Sequence, residues 1–285
     1  MTLFITTITS FVLFFSPLAH GKTVRLLVED SWPPFAFKKD NTPVGMSIDI
    51  VRAAFKNVDE EIELVQVPYP RCLAQTANGK FVGCFNSAHS KEMDKDFLFP
   101  KEPLFKSKGL IIANTVTSKI KIARIKDLEG RTVALPTGFP FGKEFDENNK
   151  ITKMFTANDQ TNLMMLKSNR ISFVAIDEYV YYYYLKTNPD FKGQFQVALT
   201  MSEEPIFVHF AKKNKDSAVL MKKLDMGLAM LKASGRYNEI LESWVGIEGQ
   251  KRVQMFSRLP KSHSYDLQPV SIEDELFWDE NVETN

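Results

Sequence analysis

Side chains suited to binding a small molecule follow four apolar runs of the sequence, at residues 30–35, 86–90, 136–140 and 177–179. These segments contain carboxylate, amide and hydroxyl groups together with tryptophan, phenylalanine and tyrosine. An aromatic face covers the apolar or cationic part of a ligand, and a carboxylate accepts charge-assisted hydrogen bonds from an ammonium group. The chemistry that these residues predict is non-covalent recognition of a polar or cationic solute.

Catalytic and metal-binding patterns are missing from the sequence. It contains no G-x-S-x-G motif, and its histidines and cysteines show no metal-ligand spacing: His20, His89, His209, His263, Cys72 and Cys84. We therefore predict no catalytic residue, no metal site and no cofactor. Asp177 with Glu29 or Asp30 could supply the acid and base of a dehydratase-like enzyme, which stays a less favoured alternative.

Two parts of the chain, roughly 100 residues apart, show the same succession of strand, helix, strand, helix and strand. In the first part the pattern predicts strands over 23–28, 62–67 and 81–85 and helices over 47–55 and 71–77. In the second part it predicts strands over 132–135 and 151–155, a strand ending at Asp177, and helices starting at 141 and over 162–167. Ser47 is the predicted N-cap of the first helix. Short strands that alternate with helices predict parallel sheets with crossover helices.

Two apolar runs, 108–113 and 205–211, can carry the chain between these parts and back. The predicted fold class is therefore α/β, with two lobes of mixed, mainly parallel sheets joined by a two-strand hinge. We predict lobe 1 over 22–108 plus 206–250 and lobe 2 over 109–205. Ligands of open α/β sheets bind outside the carboxyl ends of the strands, so the four binding segments should face one another across a cleft that closes about the hinge.

Seven short stretches match a known family in their order and spacing. They are Trp32-Pro-Pro-Phe35, Pro43-Val-Gly-Met-Ser-Ile-Asp49, Asn78-Gly-Lys80, Phe99-Pro-Lys-Glu-Pro-Leu104, Asp127-Leu-Glu-Gly130, Asn169-Arg170 with Asp177, and Gly235-Arg-Tyr-Asn-Glu-Ile240 with Trp244-Val-Gly246. Through them the chain resembles the type II periplasmic solute-binding proteins of the polar-amino-acid class (family 3). The resemblance implies a monomeric binder that captures a small-molecule ligand for an ABC permease in the inner membrane. A receptor that signals to a membrane sensor is the alternative.

The resemblance also implies roles for individual residues. Trp32 falls where the family places the aromatic side chain that stacks on the ligand, although it could instead be a core residue on a proline-rich turn. Asp177 matches the aspartate that accepts hydrogen bonds from the ligand ammonium, although it would also suit the N-cap of the helix that follows. Asp30, Tyr69 and Asn86 complete the predicted lining.

Two departures from the family concern the ligand carboxylate. Met93 stands where the family has the arginine that holds this group, and a thioether cannot donate a hydrogen bond. Gly138 is followed by Phe139 and a proline in place of small hydroxyl residues. Arg71 could take over the carboxylate, or it could be a surface residue. We therefore predict a cationic or aromatic ligand rather than an α-amino acid held in the usual way.

Both ends of the chain differ from the part between them. Residues 1–21 contain no charged side chain and predict a signal peptide cleaved near Gly21, hence a periplasmic protein. Residues 251–285 predict a partly disordered tail that could dock through Phe277 and Trp278. Cys72 and Cys84 form either a disulfide or two buried thiols. The formal net charge of +1 gives no indication of a nucleic-acid-binding surface, and we predict no nucleic-acid partner.

Overall fold

The computed structural model describes residues 23–115, 121–137 and 139–255. The predicted signal peptide, Gly138 and most of the predicted tail lie outside these residues. The first part of the chain forms β1 (Val24–Val28), β2 (Ser31–Trp32), β3 (Ala36–Lys39), β4 (Thr42–Val44), α1 (Met46–Lys56), β5 (Ile62–Gln66), α2 (Tyr69–Ala77), β6 (Gly83–Ala88), β7 (Phe97–Leu98) and β8 (Phe105–Asn114). The rest forms β9 (Thr132–Pro136), α3 (Lys143–Asp146), β10 (Thr152–Thr156), α4 (Asp159–Lys167), β11 (Phe173–Asp177), α5 (Glu178–Thr187), β12 (Phe195–Ala211), α6 (Ser217–Ala233) and α7 (Arg236–Met255).

Nine strands form one mixed sheet in the order β10-β9-β11-β8-β12-β6-β1-β5, with β7 beside β12. The pairs β1–β5, β1–β6, β9–β10 and β9–β11 are parallel, whereas β8 and β12 run antiparallel to their neighbours. We call β1, β5 and β6 the first half-sheet and β9, β10 and β11 the second. Each half-sheet with its helices forms a lobe, and β8 and β12 connect the two. The predicted fold class is confirmed.

The connecting strands are longer than the sequence pattern indicates. β12 begins at Phe195 rather than at residue 205, because it pairs with β8 along most of its length. The pairing of β12 with β8 is interrupted between Val197 and Leu199 and again between Thr200 and Glu203. Such irregularities bend and twist a strand, which allows the two half-sheets to curl toward each other.

A disulfide between Cys72 and Cys84 joins α2 to β6, with the two Cα atoms 6.0 Å apart. It resolves the choice between a bridge and two free thiols. The bridge lies in a small apolar cluster with Leu27 and Phe81. It fixes α2 against the first half-sheet, so the residue that begins this helix, Tyr69, is held at a defined place.

The predicted N-cap of α1 is wrong. The helix begins at Met46, Gly45 is its N-cap, and Ser47 lies buried within the first turn. Gly45 has φ 148°, and a Cβ atom there would lie 2.2 Å from the carbonyl oxygen of Phe35. Only glycine fits such a close approach. The requirement comes from the preceding turn folding back on the helix, which a local capping pattern does not show.

The helices α6 and α7 pack on α1 of the first lobe, and α7 also packs on α5 of the second lobe. The leucines of α6 are buried, and α7 continues past residue 250 to Met255. α7 bends at Gly246, where φ is 80°, and Gly249 beyond the bend contacts Tyr182 of α5. Lys186 of α5 donates to the backbone oxygens of Glu242, at 3.3 Å, and of Ser243. No helix in the described part of the chain is long and apolar enough to cross a membrane.

Candidate ligand site between the lobes

The carboxyl ends of β1 and β6 bring Glu29 and Asn86 together. Nδ2 of Asn86 donates to Oε1 of Glu29 at 2.8 Å. On the neighbouring strand β12, Phe207 pairs with Ser87 and Val208 pairs with Phe85, so Asn86 is the extra residue of a bulge. Its φ of 72° is left-handed, a conformation that asparagine tolerates better than most residues. The bulge thus places the Asn86 amide beside the end of β1.

This pair of side chains forms an edge rich in hydrogen-bond acceptors. Burial raises the pKa of Glu29 to about 8, with the charge of Asp30 adding to the effect and the bond from Asn86 opposing it. Oδ1 of Asn86 is buried and has no hydrogen-bond partner among the described residues. An unpaired buried acceptor is costly. A ligand that donates hydrogen bonds would satisfy Asn86 and stabilise the ionised form of Glu29.

Tyr69 stands next to this edge at the start of α2. Its hydroxyl group is 2.8 Å from Oγ of Ser87, the residue after Asn86. Burial raises the pKa of Tyr69, and the charge of Glu29 adds to that rise although the bond to Ser87 opposes it. The phenol is therefore neutral near pH 7. It extends the hydrogen-bonding surface of the first lobe from β1 and β6 to α2.

Aromatic side chains from both lobes meet in front of the sheet. The ring of Trp32 lies 4.3 Å from that of Phe35 and 5.2 Å from that of Phe139, which follows β9 in the second lobe. Phe35 is completely buried, and Trp32 is half-buried. Trp32 thus packs on the core with one part of its ring and remains accessible with another. Its packing on the core is thus partly confirmed, and its stacking on a ligand stays a prediction.

Asp177, at the end of β11, serves as the N-cap of α5. Its Oδ1 accepts bonds from the backbone N–H groups of Tyr179 at 2.8 Å and Val180 at 3.2 Å, and Ser107 of β8 donates to Oδ2. Burial raises the pKa of Asp177 to about 7 in spite of these bonds. Two carboxylate oxygens offer about four lone-pair sites, so the three accepted bonds leave one site unused, and only 3% of the residue is exposed. A role in ligand binding stays a prediction.

The remaining predicted residues differ in accessibility. Asp30 is half-buried directly after Glu29, and Met93 is half-buried at the start of a short 3-10 turn. Arg71 is exposed in the first turn of α2, and its guanidinium has no partner among the described residues. Gly138 lies outside the described residues. The structure therefore brings Trp32 to Phe139, and Tyr69 to the residue after Asn86, while Arg71 is exposed. That these residues line one ligand site stays a prediction.

Two features were not predicted from the sequence: the place of Glu29 in the candidate site and a charged cluster next to Asp177. Nζ of Lys108 lies 3.2 Å from Oε2 of Glu203 on the facing strand. Glu178 is only 3% exposed, and burial raises its pKa well above the usual value, although the nearby charge of Lys108 opposes that rise. The sequence signal for this cluster was the presence of lysines in β8 and glutamates in β12. This cluster holds the junction of β11, α5 and the connecting strands.

Comparison with known proteins agrees with this architecture. The profile of the bacterial extracellular solute-binding proteins, family 3, matches residues 24–247. The chain belongs to this family. Its predicted family is thereby confirmed, and with it the function of binding a small polar solute outside the cytoplasm.

Individual relatives are distant in sequence and close in fold. The chain is 25% identical over 230 residues to the ABC transporter arginine-binding protein 1 of Escherichia coli (strain K12), covering 79% of this chain and 91% of that protein. An ancestral arginine-binding protein bound to arginine is 26% identical, with a TM-score of 0.61 over 79% of this chain and 98% of that one. A histidine kinase sensor domain similar to periplasmic binding proteins is 17% identical, with a TM-score of 0.63 over 79% and 96%. This last likeness concerns the fold alone.

Proposed function

We propose that this protein captures a small organic cation between its two lobes and delivers it to an ABC permease in the inner membrane. The observation that carries the proposal is the acceptor-rich edge formed by Glu29 and Asn86. Membership of the solute-binding family supports capture, and the arginine-binding relative supports both a basic solute and the transporter. Asp30, Tyr69, Phe139 and Asp177 belong to the same proposed site.

The bound cation would donate hydrogen bonds to Glu29 and to Oδ1 of Asn86, the buried acceptor that has no protein partner among the described residues. Bonds to charged groups contribute about 1.5–3 kcal/mol each. Trp32 and Phe139 would cover the cation, since aromatic faces attract positive charge. The lone pair that Asp177 retains would face the ligand from the second lobe. Closure of the lobes thus surrounds the cation with acceptors and π faces.

Recognition of a carboxylate is weak in this site. Met93 offers no hydrogen-bond donor, and the exposed Arg71 would have to order a long side chain in water to reach a ligand. We therefore infer that amines and guanidines without a carboxylate bind at least as tightly as the corresponding amino acids. Arginine with agmatine, and lysine with cadaverine, are matched pairs that isolate this difference.

We further propose that the exported chain begins near Lys22, is monomeric and releases its solute unchanged. We also propose the lobe limits 22–108 plus 206–250 and 109–205. The strand order supports them, because β8 and β12 lie between the two half-sheets. Native mass spectrometry of gently purified protein measures the oligomeric state and the mass of any retained solute. A covalently altered solute after incubation would contradict a purely binding role.

Calorimetry with the paired ligands tests the proposed function. We expect agmatine to bind at least as tightly as arginine, and Glu29→Gln to weaken both at least tenfold, because it removes a charged acceptor. Glu61→Gln, at an exposed position before β5, is the matched control and should leave both affinities unchanged. Tight binding of arginine without binding of agmatine would contradict the proposal. So would tight binding of glutamine that Glu29→Gln leaves unaffected.

A further inference from the structure

A groove between α1 and α7 lies outside the candidate ligand site and shares no residue with it. Its volume is about 350 Å³. Each helix contributes one face, with residues spaced by three and four positions: Asp49, Arg52, Ala53 and Lys56 from α1, and Arg236, Glu239, Ile240 and Ser243 from α7. Ala53, which is half-buried, and Ile240, which is 5% exposed, form the apolar part of the lining, which we call the apolar centre, and polar or charged residues form the rest. This combination suits a segment that is both apolar and charged.

The positive charge of the groove is only partly balanced. The carboxylate of Asp49 accepts a hydrogen bond from Nε1 of Trp244 at 2.8 Å, and Glu239 pairs with Arg236 at 2.5 Å. Both acids of the groove are thus engaged. The side chains of Arg52 and Lys56 are exposed and have no partner among the described residues. The groove therefore offers two free cations next to an apolar centre.

The chain itself contains a segment with the complementary composition. Residues 272–280 carry five acidic side chains and no basic one, and they include Leu276, Phe277 and Trp278. This segment is the part of the predicted tail that combines charge with aromatic rings, and the candidate ligand site does not use it. Its acids can pair with Arg52 and Lys56, while its rings can cover Ala53, Ile240 and a guanidinium face.

The segment is long enough to reach the groove. Sixteen residues separate Met255 from residue 272 and span at most about 55 Å. α7 measures about 30 Å from Arg236 to Met255 if straight, and less with its bend. The tail leaves from the end of the helix that forms one wall of the groove, so its local concentration there is in the millimolar range. Weak contacts therefore suffice for docking.

We propose that residues 272–280 dock into the groove between α1 and α7 of the same chain. The acidic side chains pair with Arg52 and Lys56, and Phe277 or Trp278 covers the apolar centre. Docking covers a cationic surface of the first lobe and leaves the ligand site open. This proposal does not depend on the identity of the solute.

Fluorine NMR of the full chain labelled with 5-fluorotryptophan tests the docking. The chain has three tryptophans, and Trp278→Phe assigns the resonance of the tail. We expect this resonance to differ from that of a free peptide of residues 268–285. The double variant Arg52→Glu/Lys56→Glu should lower the ratio of docked to free tail about tenfold, because it replaces attraction with repulsion. Salt at 1 M should act in the same direction, since the Debye length falls to about 3 Å.

The matched control is Lys215→Glu/Lys222→Glu, which changes the net charge equally at exposed positions on and just before α6. It should leave the Trp278 resonance in its docked position. A chain truncated after Met255 provides a second measurement, in which the peptide, added at millimolar concentration, should shift the resonance of Trp244 beside the groove. That experiment decides the matter if the double variant fails to fold.

Four results would overturn the proposal. The first is a Trp278 resonance at the free-peptide position in the unmodified chain, and the second is a docked resonance that Arg52→Glu/Lys56→Glu leaves unchanged. The third is a docked resonance that disappears on dilution. The fourth is a Trp244 resonance of the truncated chain that does not shift when the peptide is added. The third would assign the groove to a second copy of the protein.

Discussion

Replacing His209 with leucine should remove a destabilising contribution that this residue makes in mild acid. His209 is completely buried in β12, and neither ring nitrogen has a hydrogen-bond partner among the described residues. Its ring lies 4.5 Å from that of Phe97 and 6.1 Å from that of Phe99. Burial in this apolar setting lowers the pKa of His209 to about 3. The folded protein therefore excludes a proton that the unfolded chain accepts.

The size of the effect follows from the two pKa values. In the unfolded chain the pKa of histidine is about 6.5. Because the folded value is lower, the contribution to stability is complete above pH 6.5 and is lost as the pH falls. At pH 5 the loss is about 2 kcal/mol, from 1.5 pH units at about 1.36 kcal/mol each. This figure is insensitive to the folded pKa as long as that stays below about 4.

Urea unfolding of the unmodified protein and His209→Leu at pH 7.5 and pH 5 measures this contribution. The change in unfolding free energy between the two pH values should be about 2 kcal/mol more favourable for the variant. Constant packing differences cancel in this comparison. So do the opposite contributions of Glu29 and Asp177, whose raised pKa values stabilise the folded state as the pH falls. Phe97→Leu alters packing beside His209 without removing a titrating group and should retain the full pH dependence. An equal change of unfolding free energy between the two pH values in His209→Leu and in the unmodified protein would refute the reasoning.

Three further predictions concern the site and the fold. Because the pKa of Glu29 is about 8 and a bound cation requires its charged form, the affinity for a cation should increase by up to tenfold for each unit by which the pH is raised toward 8. Calorimetry at pH 7 in two buffers should detect a proton released on binding, and Glu29→Gln should abolish that release. Cys72→Ser/Cys84→Ser should lower the unfolding free energy by about 3 kcal/mol, since the bridge closes a loop of 12 residues; an unchanged denaturation midpoint would contradict this. Gly45→Ala should destabilise the protein by more than about 1 kcal/mol because its Cβ would meet the Phe35 carbonyl, whereas Gly130→Ala, which also has positive φ but open space around it, should cost less.

The family and the edge of the sheet that carries the candidate site were predictable because both depend on local patterns. Apolar runs that end in polar residues identify the carboxyl ends of strands. Trp32, Asn86 and Asp177 were predicted as site residues because they lie at such ends. The choice between Glu29 and Asp30 was not predictable in this way. It depends on the bulge at Asn86, which arises from the pairing of β6 with β12, more than 100 residues away.

Asp177 shows why two interpretations of one residue need not compete. Its position before an apolar helix predicted an N-cap, and its position after a buried strand predicted a site residue. In the structure one oxygen of Asp177 caps α5, and the other accepts a hydrogen bond from Ser107 of a connecting strand. That second partner was hidden from the sequence because it depends on the antiparallel register of β11 and β8.

The packing of α7 on α5 has a kinetic consequence. Any opening in which α5 moves with the second half-sheet must separate Tyr182 from Gly249 and withdraw Lys186 from the carbonyl oxygens of Glu242 and Ser243. Each 1.4 kcal/mol that these contacts contribute lowers the open population tenfold. A solute that enters only the open form then meets a correspondingly smaller fraction of competent molecules, and its observed association rate falls by the same factor. The contacts made by the end of α7 would thus limit the rate at which the protein binds its solute.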